Sequence, residues 1–382
     1  MTDSGLVSDM SICPDEGREA DGLFPEDRFL RDHIAACLYG GALGDALGYE
    51  IEFDSWQEIR SRFGMNGIRV PVLHDGLARV SDDTQMTLFT AEGMGLGFFR
   101  SAETGEAAPV EEYIHQAYLI WLQTQGVEAR SRWDPVSRLK QVPELHRRRA
   151  PGNTCLSALC SGVMGTIGDP INGSKGCGGV MRTAPLGFIR RRRDGLSPFG
   201  PALQNGAKAA AITHGHPLGW LPAGMLADMV DRCLYEKYGS LKEIVGASLN
   251  AAVRAFSGYR ETEELTGLIR RAISLAERPR EGTAETAEAD ESAIRSLGEG
   301  WVGDEALAIA VYAALRHEHD LVKALQAAVN HGGDSDSTGA VAGNILGAYL
   351  GMEAIPGDWL RQLELREEIE AVTDTMLRII RA

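Results

Sequence analysis

The sequence predicts an all-α fold, a single orthogonal helical bundle whose loops gather at one end, and three observations carry that prediction. Nearly every segment with periodic apolar residues repeats at steps of three or four. No stretch shows sustained strand alternation, and no fixed repeat period recurs. Two segments carry glycine at every fourth position: Gly40, Gly44 and Gly48 in one, Gly339, Gly343, Gly347 and Gly351 in the other. A helical glycine costs about 0.8–1 kcal/mol against alanine. A close helix crossing offsets that cost, because two backbones then approach where side chains would not fit.

In chain order, residues 1–28 carry eight acidic residues against Arg18 and Arg28 and read as an acidic, flexible extension ahead of one domain at 29–382. Such an arm suits a basic protein partner. The first helix spans Asp32 to Leu47, with Ile34, Leu38, Ala42 and Ala46 on one stripe, and Tyr49 to Phe53 follows as a short extended piece. Residues 54–80 form an irregular excursion with a short strand at Ile68–Val70. Helices are expected at 85–98, 111–124 and 154–165, separated by the loop signals Asp134-Pro135 and Arg149 to Asn153.

The arginine runs 147–149 and 190–193 read as solvated faces. Ser174 to Arg182 is glycine-rich but matches neither a P-loop nor a dinucleotide fingerprint, so its amides offer only a general cradle for a diphosphate. Further helices are expected at 203–212 and 221–235 around Thr213-His214-Gly215-His216-Pro217, then a surface loop at 279–300 and a small-residue helix from Glu305.

Two acidic clusters stand out: Ser81-Asp82-Asp83-Thr84 and Asp334-Ser335-Asp336-Ser337-Thr338, each ahead of a helix, with Ser337 or Thr338 as N-cap of the second. Either alone is equally explained by acids complementing a helix dipole, worth about 0.3–1 kcal/mol. Together they favour a shared metal site, since a hard divalent cation takes about six oxygens and neither cluster supplies them alone. Oxygen ligands with no cysteine–histidine spacing point to Mg²⁺ or Mn²⁺, as two ions about 3.5–4 Å apart.

The chain has 382 residues and a formal net charge of -16. Nucleic acid and anionic membranes are unsuited partners for such a charge. Six scattered cysteines read as reduced thiols of a cytoplasmic protein, and the N-terminus shows no secretory signal.

Joined in order, several segments resemble the ADP-ribosylglycohydrolase family: Gly41 to Gly48 with Glu52, Ser81 to Thr84, Pro151 to Thr154, Ser174 to Leu186, Thr213 to Pro217, Gly300 to Val302 with Glu305 to Leu307, and Gly332 to Thr338. The resemblance implies an all-α hydrolase with a two-ion centre in a cleft, removing ADP-ribose from a modified protein side chain, arginine being the preferred acceptor. It assigns Ser81, Asp82, Asp83, Asp334, Asp336 and Ser337 as ligands, and Glu52, Asp83 and Asp334 as catalytic. Asn153, Gly178, Gly179, Val180 and His214 are the implied substrate contacts. A prenyl-diphosphate enzyme fits less well, because Asp82-Asp83-Thr84-Gln85-Met86 lacks a third acid three positions on. A second alternative is an immunity protein whose residues 1–28 bind an ADP-ribosyltransferase toxin, with or without hydrolysis.

Overall fold

The computed structural model describes residues 24–106, 108–190, 199–279 and 287–382. Residues 1–23 lie outside the described residues, and with them most of the acidic extension and the toxin-binding role expected of it. Helix α1 (Pro25–Tyr49) starts inside the span assigned to that extension, with Pro25 at its first position, where a missing N–H costs nothing. There follow α2 (Trp56–Phe63), α3 (Asp82–Thr104), α4 (Val110–Thr124), α5 (Asn153–Cys160), α6 (Ala202–Ala211), α7 (Pro217–Tyr235) and α8 (Leu241–Ala255). The rest are α9 (Glu261–Ala276), α10 (Ala287–Arg295), α11 (Gly303–Arg316), α12 (Leu321–Val329), α13 (Ser335–Leu350), α14 (Gly357–Gln362) and α15 (Arg366–Arg381). A two-residue hairpin, Leu73–His74 against Leu77–Ala78, is the sheet among the described residues, so the fold is all-α.

The two glycine spines meet. Helices α1 and α13 pack along their lengths, and a Cβ at Gly40 would fall onto the Gly343 carbonyl, one at Gly44 onto that of Gly339, and one at Gly48 onto that of Ser335. Asn344 Nδ2 donates across the crossing to the Cys37 carbonyl at 2.9 Å. Helix α13 is buried from Ser335 to Ala348 and α1 from Ile34 to Gly48, so the pair forms the axis of the molecule. Helices α11, α12 and α7 cover α13, and α15 and α3 cover the other flank of α1.

Several local expectations need correction. Ile68–Val70 is not a strand, because the Asn330 side chain satisfies Ile68 in its place: Ile68 N donates to Asn330 Oδ1 and Asn330 Nδ2 to Ile68 O, both at 2.8 Å. Tyr49 to Phe53 is not extended; the chain leaves α1 in a turn, with Ile51 N on Gly48 O at 2.9 Å. The 279–300 loop contains α10, whose Ile294 is buried; residues 280–286 lie outside the described residues. Helix α5 stops at Cys160 ahead of Gly162, which sits at φ 70°. Arg149 is no solvated residue: it is buried and paired with buried Glu364 at 3.2 Å. Arg190 pairs with Asp231 and Glu236, while residues 191–193 of that run lie outside the described residues.

Among the described residues, no helix is long and apolar enough to cross a membrane. Cys37, Cys155, Cys160, Cys177 and Cys233 are free thiols.

Candidate active site

The α1–α13 crossing delivers the acidic residues to one end of the molecule. Asp45, one turn before the end of α1 and fully buried, accepts from the backbone N–H groups of Ser81 at 2.9 Å and Thr84 at 3.1 Å. The start of α3 is thereby fastened to α1. Ser81 is the N-cap of α3, its hydroxyl accepting from Asp83 N at 3.2 Å. Asp334 caps α13 and accepts from Ser337 N, so the cap is the acid itself and not Ser337 or Thr338, and Asp336 lies in the first turn. Placing the carboxylate at the cap satisfies an orphan N–H and meets the positive helix end.

Three connecting segments close the site. Residues 147–152 strap the start of α3: Gln85 Nε2 donates to Arg147 O, Asp82 N to Arg149 O, and Gly152 N to Asp82 Oδ2 at 3.1 Å. Glu364 holds this strap through Arg149 and also accepts from Val80 N. Residues 299–303 form the second segment. Asp334 N donates to Glu299 O at 2.8 Å, and Trp301 O accepts from Cys177 N at 3.2 Å. The third is the turn after α1, which carries Glu52 and then Phe53; Phe53, 75% exposed, stacks on Trp301 with centroids 5.8 Å apart.

The electrostatics show that the two clusters meet. Burial and then the charge of Asp336 push Asp83 well above the usual carboxylate range, with Asp82, Asp45 and Asp334 adding to it. Asp82 is raised chiefly by burial, and Asp336 and Asp45 raise it further. Glu52 is pushed up to about 10 by burial, then by Asp336, Asp334, Asp82 and Asp45. Asp334 is likewise raised by burial and Asp336, and the Ser81 side chain lies against Asp336 and draws it down. Two like charges 4 Å apart repel by about 4 kcal/mol at an effective dielectric of 20. Six buried acids in one place cannot all ionise without positive charge among them.

The donors fit a hard divalent cation. Glu52 Oε2 and Asp83 Oδ2 are buried oxygens without a hydrogen-bond partner, and the surrounding groups are carboxylates and hydroxyls. Among the described residues, no three Asp, Glu, His or Cys side chains already stand closed around one point. The match therefore lies in donor type and charge.

The other expected residues sit beside this acid group. Gly178 and Gly179 belong to a short 3₁₀ turn at 177–179 followed by Val180, all buried except Cys177, and the His214 ring packs against Gly176 and Gly178. Asn153 opens α5 next to Gly152 with an exposed side chain. Two residues at the site went unrecognised in the sequence. Asp45 lies inside the Gly41–Gly48 segment, where an acid among small residues was the available signal. Cys177, whose thiol lies against Asp334 and Ser337 and is pushed up by burial, has no pattern of its own.

The sequence matches the ADP-ribosylglycohydrolase family over residues 26–382. It is 26% identical over 361 residues to the ADP-ribosyl-[dinitrogen reductase] glycohydrolase of Rhodospirillum rubrum, covering 92% of this chain and 97% of that one. It is 27% identical over 247 residues to the ADP-ribosylhydrolase ARH3 of Bos taurus, covering 59% of this chain and 64% of that protein. A solved structure titled ADP-ribosylglycohydrolase-related protein complex superposes with a TM-score of 0.56 at 26% identity, over 92% of this chain and 99% of that one.

Proposed function

The chain belongs to the ADP-ribosylglycohydrolase family, and from that premise we propose that it removes ADP-ribose from a modified protein side chain, arginine first. One observation carries this: two acid-bearing helix starts some 250 positions apart lie close enough to raise one another's carboxyls, beside Glu52 and Asp83 oxygens that no group among the described residues satisfies.

In this reading Ser81, Asp82, Asp83, Asp334, Asp336 and Ser337 hold two divalent cations, Mg²⁺ or Mn²⁺. Bound there, the ions supply Lewis acidity and neutralise the acids around them. Glu52 handles the proton. Its Oε2 is buried with no hydrogen-bond partner among the described residues, and burial followed by the charges of Asp336, Asp334, Asp82 and Asp45 favours its protonated form before cations bind. That proton passes to the acceptor atom as the bond to C1″ breaks, and water oriented by Asp83 and Asp334 adds to the oxocarbenium-like carbon and gives up a proton to the Glu52 carboxylate, which restores the acid. The glycines of the 177–179 turn are demanded by packing, Gly178 against Cys155 and His214 and Gly179 against the Gly219 carbonyl, and a diphosphate would be held by backbone amides of this segment, with Val180, His214 and Asn153 along its path.

Arginine is preferred to serine because the Phe53–Trp301 stack borders Glu52 and presents aromatic faces beside an acid-rich cleft. Planar guanidinium is suited to both features. The long match to the glycohydrolase of Rhodospirillum rubrum supports an ADP-ribosylated protein as the substrate. A cytoplasmic setting agrees with the free thiols.

The test is release of ADP-ribose from arginine-modified and serine-modified protein, with Mg²⁺ or Mn²⁺ and after chelation. Metal-dependent release from the arginine-linked substrate is expected. Release from serine alone would overturn the acceptor, and release from neither would overturn the activity.

A further inference from the structure

Arg182 is a fully buried arginine, and among the described residues no carboxylate pairs with its guanidinium. Its Nη1 donates to Cys155 Sγ at 3.2 Å and Met86 Sδ at 3.5 Å, its Nη2 to Thr213 Oγ1 at 2.6 Å, and its Nε has no partner. The guanidinium lies 4.4 Å over the Tyr118 ring. A permanently charged group held by a ring face, two sulfurs and one hydroxyl is an expensive thing to bury. Such an expense suggests a task at the hydroxyl, where the guanidinium makes its shortest contact.

Thr213 Oγ1 also lies 2.8 Å from His214 Nδ1. An arginine only donates, so Thr213 Oγ1 accepts from Arg182 and keeps one proton to give. The best acceptor in reach is His214 Nδ1, because the Cys155 sulfur on the other side is a weak one. With Nδ1 accepting, the imidazole proton must sit on Nε2. That nitrogen faces the glycine turn: Cβ atoms built on Gly176 and Gly178 would each lie 3.3 Å from it. Burial and then the Arg182 charge push His214 down to about 3, so the ring is neutral at any ordinary pH.

We propose that Arg182 and Thr213 form a positioning pair that fixes His214 as a neutral imidazole with its proton on Nε2, aimed at a phosphate oxygen lying along residues 176–179. The proton direction rests on the hydrogen-bond geometry alone; only the identity of the anion rests on ADP-ribose being the substrate. A neutral donor recognises the oxygen without adding a second full charge beside Arg182. It also leaves proton transfer to Glu52.

Imidazole ¹⁵N spectra of the full chain labelled at histidine, with His214 assigned by its absence in His214→Gln, read the tautomer directly. The expected result is a protonated Nε2 and a bare Nδ1, unchanged from pH 5.5 to 8. Thr213→Val, nearly the same shape, should release the tautomer into a mixture and weaken ADP-ribose binding about tenfold, the worth of one hydrogen bond to a charged group; Thr213→Ser should restore both. A proton on Nδ1, a charged ring at pH 7, or an unaltered tautomer in Thr213→Val would overturn the pair's role. A tautomer locked in the unmodified protein and released in Thr213→Val, with ADP-ribose affinity unchanged between the two, would overturn the phosphate contact. Absence of any ADP-ribose binding by the unmodified protein would instead strike the proposed function, leaving the tautomer result to stand.

Discussion

The Asp45 carboxylate in α1 takes the Ser81 backbone N–H at 2.9 Å and so seats the first residue of the first acidic cluster. The same carboxylate serves Thr84 through its backbone N–H and its hydroxyl. Asp45→Asn keeps the shape but turns an NH₂ toward one of these donors. Ser81 N–H then keeps only its 3.1 Å bond to the remaining oxygen and faces the NH₂ in place of its closer acceptor, so the variant should lose about 1 kcal/mol of stability. Calorimetric titration should show weaker Mn²⁺ binding than in the unmodified protein; unaltered affinity would separate Asp45 from the acid group.

Alanine scanning of two glycines should give opposite signs. At Gly44 the new methyl would fall onto the Gly339 carbonyl inside the α1–α13 crossing, so Gly44→Ala should cost about 1–3 kcal/mol or more as the helices are forced apart. At Gly246, within α8, nothing lies within 4 Å of the added carbon. Gly246→Ala should raise stability by about 0.4–1 kcal/mol, as it restricts the unfolded chain. Thermal unfolding of the two variants side by side checks both.

Chelated protein should lose stability as pH rises. Glu52 and Asp45 have folded-state pKa values raised to about 10 and about 7, and Asp82, Asp83 and Asp334 are raised too. The folded state therefore binds more protons than the unfolded chain, whose carboxyls titrate near pH 4. Their contribution is complete below about pH 4; that of Asp45 is lost as pH climbs through about 7 and that of Glu52 through about 10, and Asp82, Asp83 and Asp334 act in the same direction. The Tm in EDTA should drop between pH 5.5 and 8.5, and Mg²⁺ should raise it more at 8.5 than at 5.5. A flat or rising profile in EDTA would show the acids to be compensated by something other than cations.

Glu52→Gln should separate chemistry from binding. Loss of a general acid–base group costs about 10²–10⁴ in kcat, while the amide fills the same space, so ADP-ribose affinity should change little. Removing one acid from a crowded set should leave the Tm equal or higher. Intact turnover in this variant would assign the proton transfer elsewhere.

The glycine spines, the helix periodicity and both acidic turns were legible in the sequence because each rests on local spacing. The meeting of the turns was inferable only because neither could complete a cation shell alone. What stayed hidden depends on distant partners. Ile68 gives up a strand to Asn330, Arg149 is buried because Glu364 lies against it, and α10 has too few apolar residues to declare itself beside an acidic segment. Asp45 carries no signal beyond its glycine neighbours, since its role is set by the backbone N–H of Ser81, which any residue type would offer.

The glycine-lined crossing also fixes when the centre can exist during synthesis. Cys37 and Asn344, joined by one hydrogen bond, stand 307 positions apart. A nascent chain emerging from the ribosome has Asp45 and the start of α3 long before it has α13. Until that helix arrives, the amino-terminal half of the cleft has no opposing wall, so ion capture and the final docking step should coincide in refolding kinetics.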